Sequence, residues 1–339
     1  MPSANYPTTV DPNYPELIPA HQPRPQAPDN MQLQPLEDRV TSLVTGILAC
    51  YVQLSQLPTL RPSGKVNAIF EDLVHLCCVT SDEDVAEKVL THPKIINIVA
   101  PLRCLCSVGE YQLEAHWAER ILGCGCQKEA SVMFLNFPYR DNYLDLVRME
   151  LNALASVTTT GRPRRFAVLG SGPLPMTALS LISQSRKGTE DAVVVHNVDR
   201  DPWAIAKSSA MCRRLGYRLD QVSFQCVEAE DQTLDLHAFD VVYLAGLVGT
   251  TSEQKQSIVA QVAKQMSPGA MLLLRSAHRM RSLLYPVVVT ANLTSLGLKP
   301  LLIVHPCNHV INSVVICQIE SSKSQGRMLQ DTIRKPNQY

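Results

Sequence analysis

RRFAVLGSGPLPMTALSLISQS (residues 164–185) decides the fold. A short apolar run ends in glycines and gives way to a stretch of helical period, the strand–turn–helix opening of an α/β unit. The alternation continues toward the C-terminus. DAVVVHNVDRD (191–201) is a second apolar run, ending in acids, and WAIAKSSAMCRRLG (203–216) a second helix. VSFQCVEAE (222–230), a helix-poor link, FDVVYLAGLVG (239–249), the helix SEQKQSIVAQVAKQM (252–266) and PGAMLLLRSAH (268–278) follow. LKPLLIVHP (298–306) and INSVVICQIE (311–320) read as two closing strands. Apolar runs alternating with helices predict a doubly wound parallel sheet over residues 161–320, with the closing pair adding an antiparallel edge strand.

Before Gly161 the period is helical. LEDRVTSLVTGILACYVQLSQL (36–57), VNAIFEDLVHLCCV (66–79), VGEYQLEAHWAERIL (108–122) and DNYLDLVRMELNALA (141–155) space apolar residues three and four apart. SDEDVAEKVL (81–90) opens with Ser81 as a cap and an acidic first turn that suits the helix dipole. Residues 36–160 are therefore expected to form a helical bundle domain. Residues 1–35 hold many of the chain's 23 prolines and almost no apolar periodicity. They are expected to be disordered, and residues 321–339 to be a flexible polar tail.

Composition narrows the function. Lys plus Arg and Asp plus Glu both number 31, so the formal net charge is zero and extended phosphate tracking along nucleic acid is disfavoured. No uncharged apolar stretch is long enough for a membrane span. The opening MPSANYPTTVDPNYPELIP lacks the basic, then apolar, then small-residue order of a secretory signal, which makes the cytosol the expected address. Eleven cysteines, an odd number, point to reduced thiols. Cys104-x-Cys106 and Cys124-x-Cys126 have the wrong gap for structural zinc, so no metal site is expected.

In such sheets a ligand sits beyond the carboxyl ends of the strands, where strand order reverses. Gly170, Ser171, Gly172 and Pro173 follow the first strand there. The third glycine of a dinucleotide fingerprint is missing. Pro173 and Pro175 remove amide donors that would hold a pyrophosphate, so a ligand without phosphate suits the loop. Asp199, ending the second strand, is placed to accept ribose hydroxyls, with Asp201 the adjacent alternative or simply a helix cap. Glu228, after the third strand, is a candidate for an adenine amino group. Glycine turn and acids on three successive strands suggest S-adenosylmethionine.

LPTLRPSGKVNAIFEDLV (57–74), LEAHWAERILG (113–123), NFPYRDNYLDLVRMEL (136–151), LGSGPLPMTALSL (169–181), VDRDPWA (198–204), VVYLAGLVG (241–249), SPGAMLLLRSAHRMRSLLYP (267–286) and VHPCNHVINSVVI (304–316) resemble, in order, the nicotianamine synthases. The resemblance implies a helical N-terminal domain joined to a Rossmann-like S-adenosylmethionine-binding sheet, with Ala245 added to the binding loops. It also implies an unusual use of the substrate. An amine attacks the γ-carbon of the methionine moiety, 5′-methylthioadenosine leaves, and a 3-amino-3-carboxypropyl unit is transferred. Three units and one azetidine closure give nicotianamine, a metal chelator. No cofactor beyond S-adenosylmethionine, itself the substrate, is implied. The chain departs from the plant-like pattern at Arg140, where a second tyrosine is expected, and in the DPWA loop, which bears on acceptor preference.

An α-ammonium cannot attack while protonated, so the chemistry needs a base. Glu114 is the candidate, and Glu110, one turn earlier on the same face, would raise its pKa. His116 is about 200° around the helix from Glu114 and belongs to another surface. Tyr139 matches the family's catalytic tyrosine, and Tyr143 is a substrate-binding candidate flanking Asn142. Arg275, Ser276 and His278, after the fifth strand, are expected to take substrate carboxylates, with Arg281 and Tyr285 weaker candidates. Asn312 and Ser313 are expected to order a sheet edge. The rival readings are a methyltransferase on the same fold, a related metallophore synthase with another acceptor, and a nucleoside-binding scaffold without turnover. A dehydrogenase lacks its glycine fingerprint. The expected partner is a small molecule; self-association is left open.

Overall fold

Several helices begin where a side chain can satisfy free amides. The structure, a computed structural model, describes residues 34–79, 82–159, 161–184 and 192–320. The expected disorder of the N-terminal extension and of the C-terminal tail falls outside these residues, apart from Gln34 and Pro35 at the entry to the first helix. Seven helices come first: α1 (Leu36–Ser55), α2 (Gly64–Cys78), α3 (Glu83–Leu90), α4 (Pro93–Ile96), α5 (Val99–Gly123), α6 (Gln127–Leu135) and α7 (Arg140–Val157). Ser63 caps α2 by accepting from the Val66 amide, and Asp82 caps α3 through the Asp84 and Val85 amides. Ser81, expected to cap α3, lies outside the described residues.

The alternating half follows: β1 (Arg165–Leu169), α8 (Met176–Gln184), β2 (Val194–Asp199), α9 (Pro202–Arg214), β3 (Val222–Cys226), β4 (Val241–Leu244), α10 (Ser252–Lys264), β5 (Met271–Ser276), β6 (Leu298–Val304) and β7 (Ser313–Ile319). The seven strands lie in the order β3-β2-β1-β4-β5-β7-β6. β1 to β5 are parallel, and β7 is antiparallel to both its neighbours. This is a doubly wound α/β arrangement with one antiparallel strand inserted. Strand order reverses between β1 and β4, which opens a crevice at their carboxyl ends.

The closing pair corrects one expectation. The antiparallel strand is inserted inside the sheet, and β6 takes the edge. SVVICQI is apolar at five of its seven positions and is buried on both faces, so it needs a strand on either side. LKPLLIV carries Pro300 and a bulge between Pro300 and Leu302, which suit an edge. Ser313 therefore starts an interior strand, and with Asn312 it sits at the ligand end because β7 runs backwards.

The apolar clusters do not divide at residue 160. Trp117, Ala118 and Ile121 of α5, Ala130 of α6, and Leu146 and Leu154 of α7 share one cluster with α8 and one face of the sheet. Val259 and Val262 of α10 cover the other face. A third cluster joins α1–α4 and the start of α5 to Met280, Leu283 and Leu284, which follow β5. Helix α5 thus belongs to two clusters and passes between them over the end of the sheet.

Candidate active site

A cavity of about 2670 Å³ lies at the carboxyl ends of the strands, roofed by α2, α5 and the segment entering α7. Ligand pockets commonly occupy about 300–1,000 Å³, so this one has room for more than one nucleoside-sized molecule.

The floor is the glycine turn after β1. Gly170 adopts φ +80° and Gly172 φ +67°, a region that favours glycine. A Cβ on Gly170 would lie 2.2 Å from a Val248 methyl, and one on Gly172 would lie 2.3 Å from Oε2 of Glu114. The Gly172 amide donates to Oδ2 of Asp199 at 2.8 Å, and the Asp201 amide to Oδ1 at 3.0 Å. Asp199 therefore braces the turn while its carboxylate still faces the cavity. Asp201 caps α9 through the Trp203 amide and accepts from the Tyr111 hydroxyl, so the capping reading of this acid holds. Glu228 and Ala245 line the same space, as does Ser171, whose buried hydroxyl has no partner among the described residues. Pro173 is buried outside the cavity lining and only shapes the approach to α8.

The α5 wall carries the charge. Glu110 and Glu114 face the cavity one turn apart. The Tyr143 hydroxyl lies 3.2 Å from Oε1 of Glu110 and 3.1 Å from Oε1 of Glu114, and the Tyr285 hydroxyl donates to Oε2 of Glu110 at 3.0 Å. Burial raises the Glu110 carboxyl above its ordinary pKa, although both tyrosines and Arg275 oppose the shift. Burial, then repulsion from Glu110, pushes Glu114 well above its ordinary value; hydrogen bonds from Tyr143 and the Leu174 amide partly offset this. A carboxyl so shifted can take a proton from an ammonium more readily than an exposed one. Tyr139 also lines the cavity, against Phe137, with its hydroxyl pushed up to about 12 by burial and nearby acids.

The expected carboxylate receptors are only partly assembled. Arg275 lines the cavity, but its Nε and Nη2 already donate to the two oxygens of Glu150 at 2.7 and 3.1 Å. That edge of its guanidinium is thus taken, because the α7 carboxylate, buried with it, needs a partner. Ser276 points away from the cavity and accepts from the Val288 amide at 2.9 Å. His278 does line the cavity, stacked on His305 with ring centroids 4.0 Å apart. Arg281 also borders it, donating to the carbonyls of Pro306 and Asn308. His116 packs edge-on against Trp117, away from the cavity.

Sequence reading undervalued three groups. Tyr285 sits at the centre, on Glu110. Asn312, expected only to order an edge, lines the cavity with a buried Nδ2 that has no partner among the described residues. Lys255 of α10 was missed. Its buried ammonium donates to the carbonyls of Ala245, Gly246 and Val248 at 3.0, 2.9 and 3.3 Å and so holds the turn after β4. Burial, then Arg275, pulls its pKa down to about 7. Among the described residues no group of three or more His, Cys, Asp or Glu is placed to hold a metal ion.

Comparison with known proteins adds to this geometry. The family described as "Nicotianamine synthase protein" matches residues 36–324. The chain belongs to the nicotianamine synthase family. It is 39% identical over 277 residues to nicotianamine synthase of Solanum lycopersicum, covering 81% of this chain and 83% of that protein. It is 36% identical over 287 residues to nicotianamine synthase 3 of Arabidopsis thaliana, covering 84% and 86%. Its fold resembles that of a point mutant of MtNAS in complex with S-adenosylmethionine, with TM-score 0.67 and 19% identity over 82% of this chain and 98% of the other. MtNAS in complex with MTA and tNA gives TM-score 0.66 at 19% identity, over 84% and 98%. Arg140, the departure from the plant-like pattern of this family, pairs with Asp141 and lies outside the cavity lining.

Proposed function

We propose that the chain condenses three S-adenosylmethionine molecules into nicotianamine and releases 5′-methylthioadenosine at each transfer. Membership of the family supports the reaction class. The observation that carries the reading is the placement of Glu114, buried against Gly172 and within reach of Tyr143. A carboxylate there can deprotonate an amine beside the sulfonium.

In this reading Glu114 is the base and Tyr139 orients the attacking amine. Asp199 and Glu228 hold ribose and adenine, while Gly170, Ser171, Gly172 and Ala245 receive the methionine moiety. Tyr143 and His278 bind the acceptor. The amine lone pair attacks the γ-carbon, the C–S electrons pass to sulfur, and a neutral thioether leaves. Holding both reactants in one cavity supplies most of what an intrinsically alkylating sulfonium needs. S-adenosylmethionine serves as substrate with no added cofactor, in a cytosolic enzyme whose product serves metal homeostasis. Residues 36–160 supply the base and 161–320 the nucleoside site.

Mass spectrometry after incubation with S-adenosylmethionine alone tests this. Methylthioadenosine and a three-unit product are expected; S-adenosylhomocysteine would overturn the reading in favour of methyl transfer.

A further inference from the structure

Every transfer creates one proton that has to go somewhere. An ammonium and a sulfonium enter, a secondary ammonium and a neutral thioether leave, and the charge difference is one proton per transfer, three per nicotianamine. Glu114 can hold only one of them. While it is protonated, it cannot act on the next amine.

The side chains around Glu114 form a continuous hydrogen-bonded row. Its Oε1 is 3.1 Å from the Tyr143 hydroxyl, that hydroxyl is 3.2 Å from Oε1 of Glu110, and Oε2 of Glu110 accepts from Tyr285 at 3.0 Å. Tyr143 has one proton and two carboxylates within reach, so it can donate to only one at a time. With Tyr285 on Oε2, the Glu110 oxygen that faces Tyr143 is the one left to accept. Both carboxylates come from one rigid helix, α5, and the bridging hydroxyl from α7.

We propose that Glu110 stores the proton of each transfer, receiving it from Glu114 through the Tyr143 hydroxyl. The proposal rests on the aminocarboxypropyl-transfer reading. The ammonium N–H gives its proton to Glu114, and the freed lone pair attacks the γ-carbon. Glu114 then passes the proton to the Tyr143 oxygen as the Tyr143 proton moves to Glu110. No tyrosinate forms, Glu114 returns to its basic form with the intermediate still bound, and Glu110 later releases the proton to water in the cavity. Glu110 acts through Tyr143 and is a positioning residue for the proton rather than a group that touches substrate.

Burial raises both carboxyls above their ordinary pKa, so each can hold a proton in turn. Tyr285, Tyr143 and Arg275 all restrain the rise at Glu110, and Asp199 adds to that at Glu114. Tyr139 and Cys106 also face Glu110, both held neutral by burial and its charge.

Rapid-quench measurement of methylthioadenosine tests the proposal. Glu110→Gln keeps the volume and the hydrogen bonds to both tyrosines but cannot accept a proton. Because it also removes the repulsion that helps raise Glu114, the readout is the ratio within each protein: the later transfers are expected to lag the first by about 10-fold or more beyond any lag in the unmodified protein, accumulating a single-transfer intermediate. Raising the pH should restore the later transfers, and Glu110→Asp should recover part of them. Tyr143→Phe, which also loses contacts to Glu114 and the acceptor, should slow the first transfer and slow the later ones further still. Three transfers at the unmodified rate with an unshifted pH profile in Glu110→Gln would overturn the relay. So would an equal slowing of the first transfer. If the unmodified protein released no methylthioadenosine, the reading of function would fail instead.

Discussion

Gly172 and Glu114 occupy the same few ångströms, and each constrains the other. Gly172→Ala would place a methyl group 2.3 Å from the Glu114 carboxylate at a φ of +67°. The left-handed conformation alone costs about 1–2 kcal/mol. A moderate fall in melting temperature with a larger fall in turnover is expected; unchanged turnover would mean that Glu114 tolerates displacement. Glu114→Gln removes the base, and methylthioadenosine release should drop about 10²–10⁴-fold. Calorimetry should show S-adenosylmethionine affinity little changed. The same substitution should stabilise the fold at neutral pH. Because the folded state holds the Glu114 proton more tightly than the unfolded chain, stability is lost as pH rises above the ordinary carboxyl value. Melting temperatures of the two proteins should converge near about pH 4 and separate in favour of Glu114→Gln toward about pH 8. The opposite trend would show that Glu114 is ionised and well satisfied in the fold.

At the scale of elements, the alternation of apolar runs with helices made the sheet legible, and the four-residue spacing made Glu110 and Glu114 neighbours. Less obvious is a charge within an apolar stripe. α7 buries Leu146, Val147, Glu150, Ala153 and Leu154, and α10 buries Lys255, Ile258, Val259, Val262 and Ala263. Glu150 and Lys255 stand where the period demands an apolar side chain, so their burial could have been read. Their partners could not. Arg275 is 125 residues from Glu150, and Tyr285 and Asn312 reach the cavity only because a short helical turn and a reversed strand carry them there. Lys255 controls the turn after β4, whose Gly246 would meet Tyr285 at 2.8 Å if it carried a Cβ. Lys255→Met leaves three carbonyls without that donor, each unpaired group costing about 1–3 kcal/mol where water cannot replace it. S-adenosylmethionine should bind more weakly. Unchanged affinity by calorimetry would confine Lys255 to packing.

Across the whole molecule, the Glu150–Arg275 pair ties the helical layer to β5, with side chains 0% and 6% exposed. Arg275→Met alone should destabilise by about 3–5 kcal/mol, because it strands a buried carboxylate. Adding Glu150→Leu should recover most of that loss in denaturant titrations. Equal damage in single and double variants would show that Arg275 acts mainly elsewhere.

The inserted β7 also bears on how the chain is made. During synthesis β1 to β5 emerge first and can pair in parallel, yet β5 keeps an open row of amides and carbonyls until residues 313–319 arrive. That open row belongs to MLLLRS, apolar at four of its six positions and buried throughout in the finished sheet. A chain shortened before Ser313 would therefore lose more than a terminal strand: it would present a sticky template to its neighbours. Late frameshifts and premature stops in this gene should yield aggregates rather than a weakened enzyme.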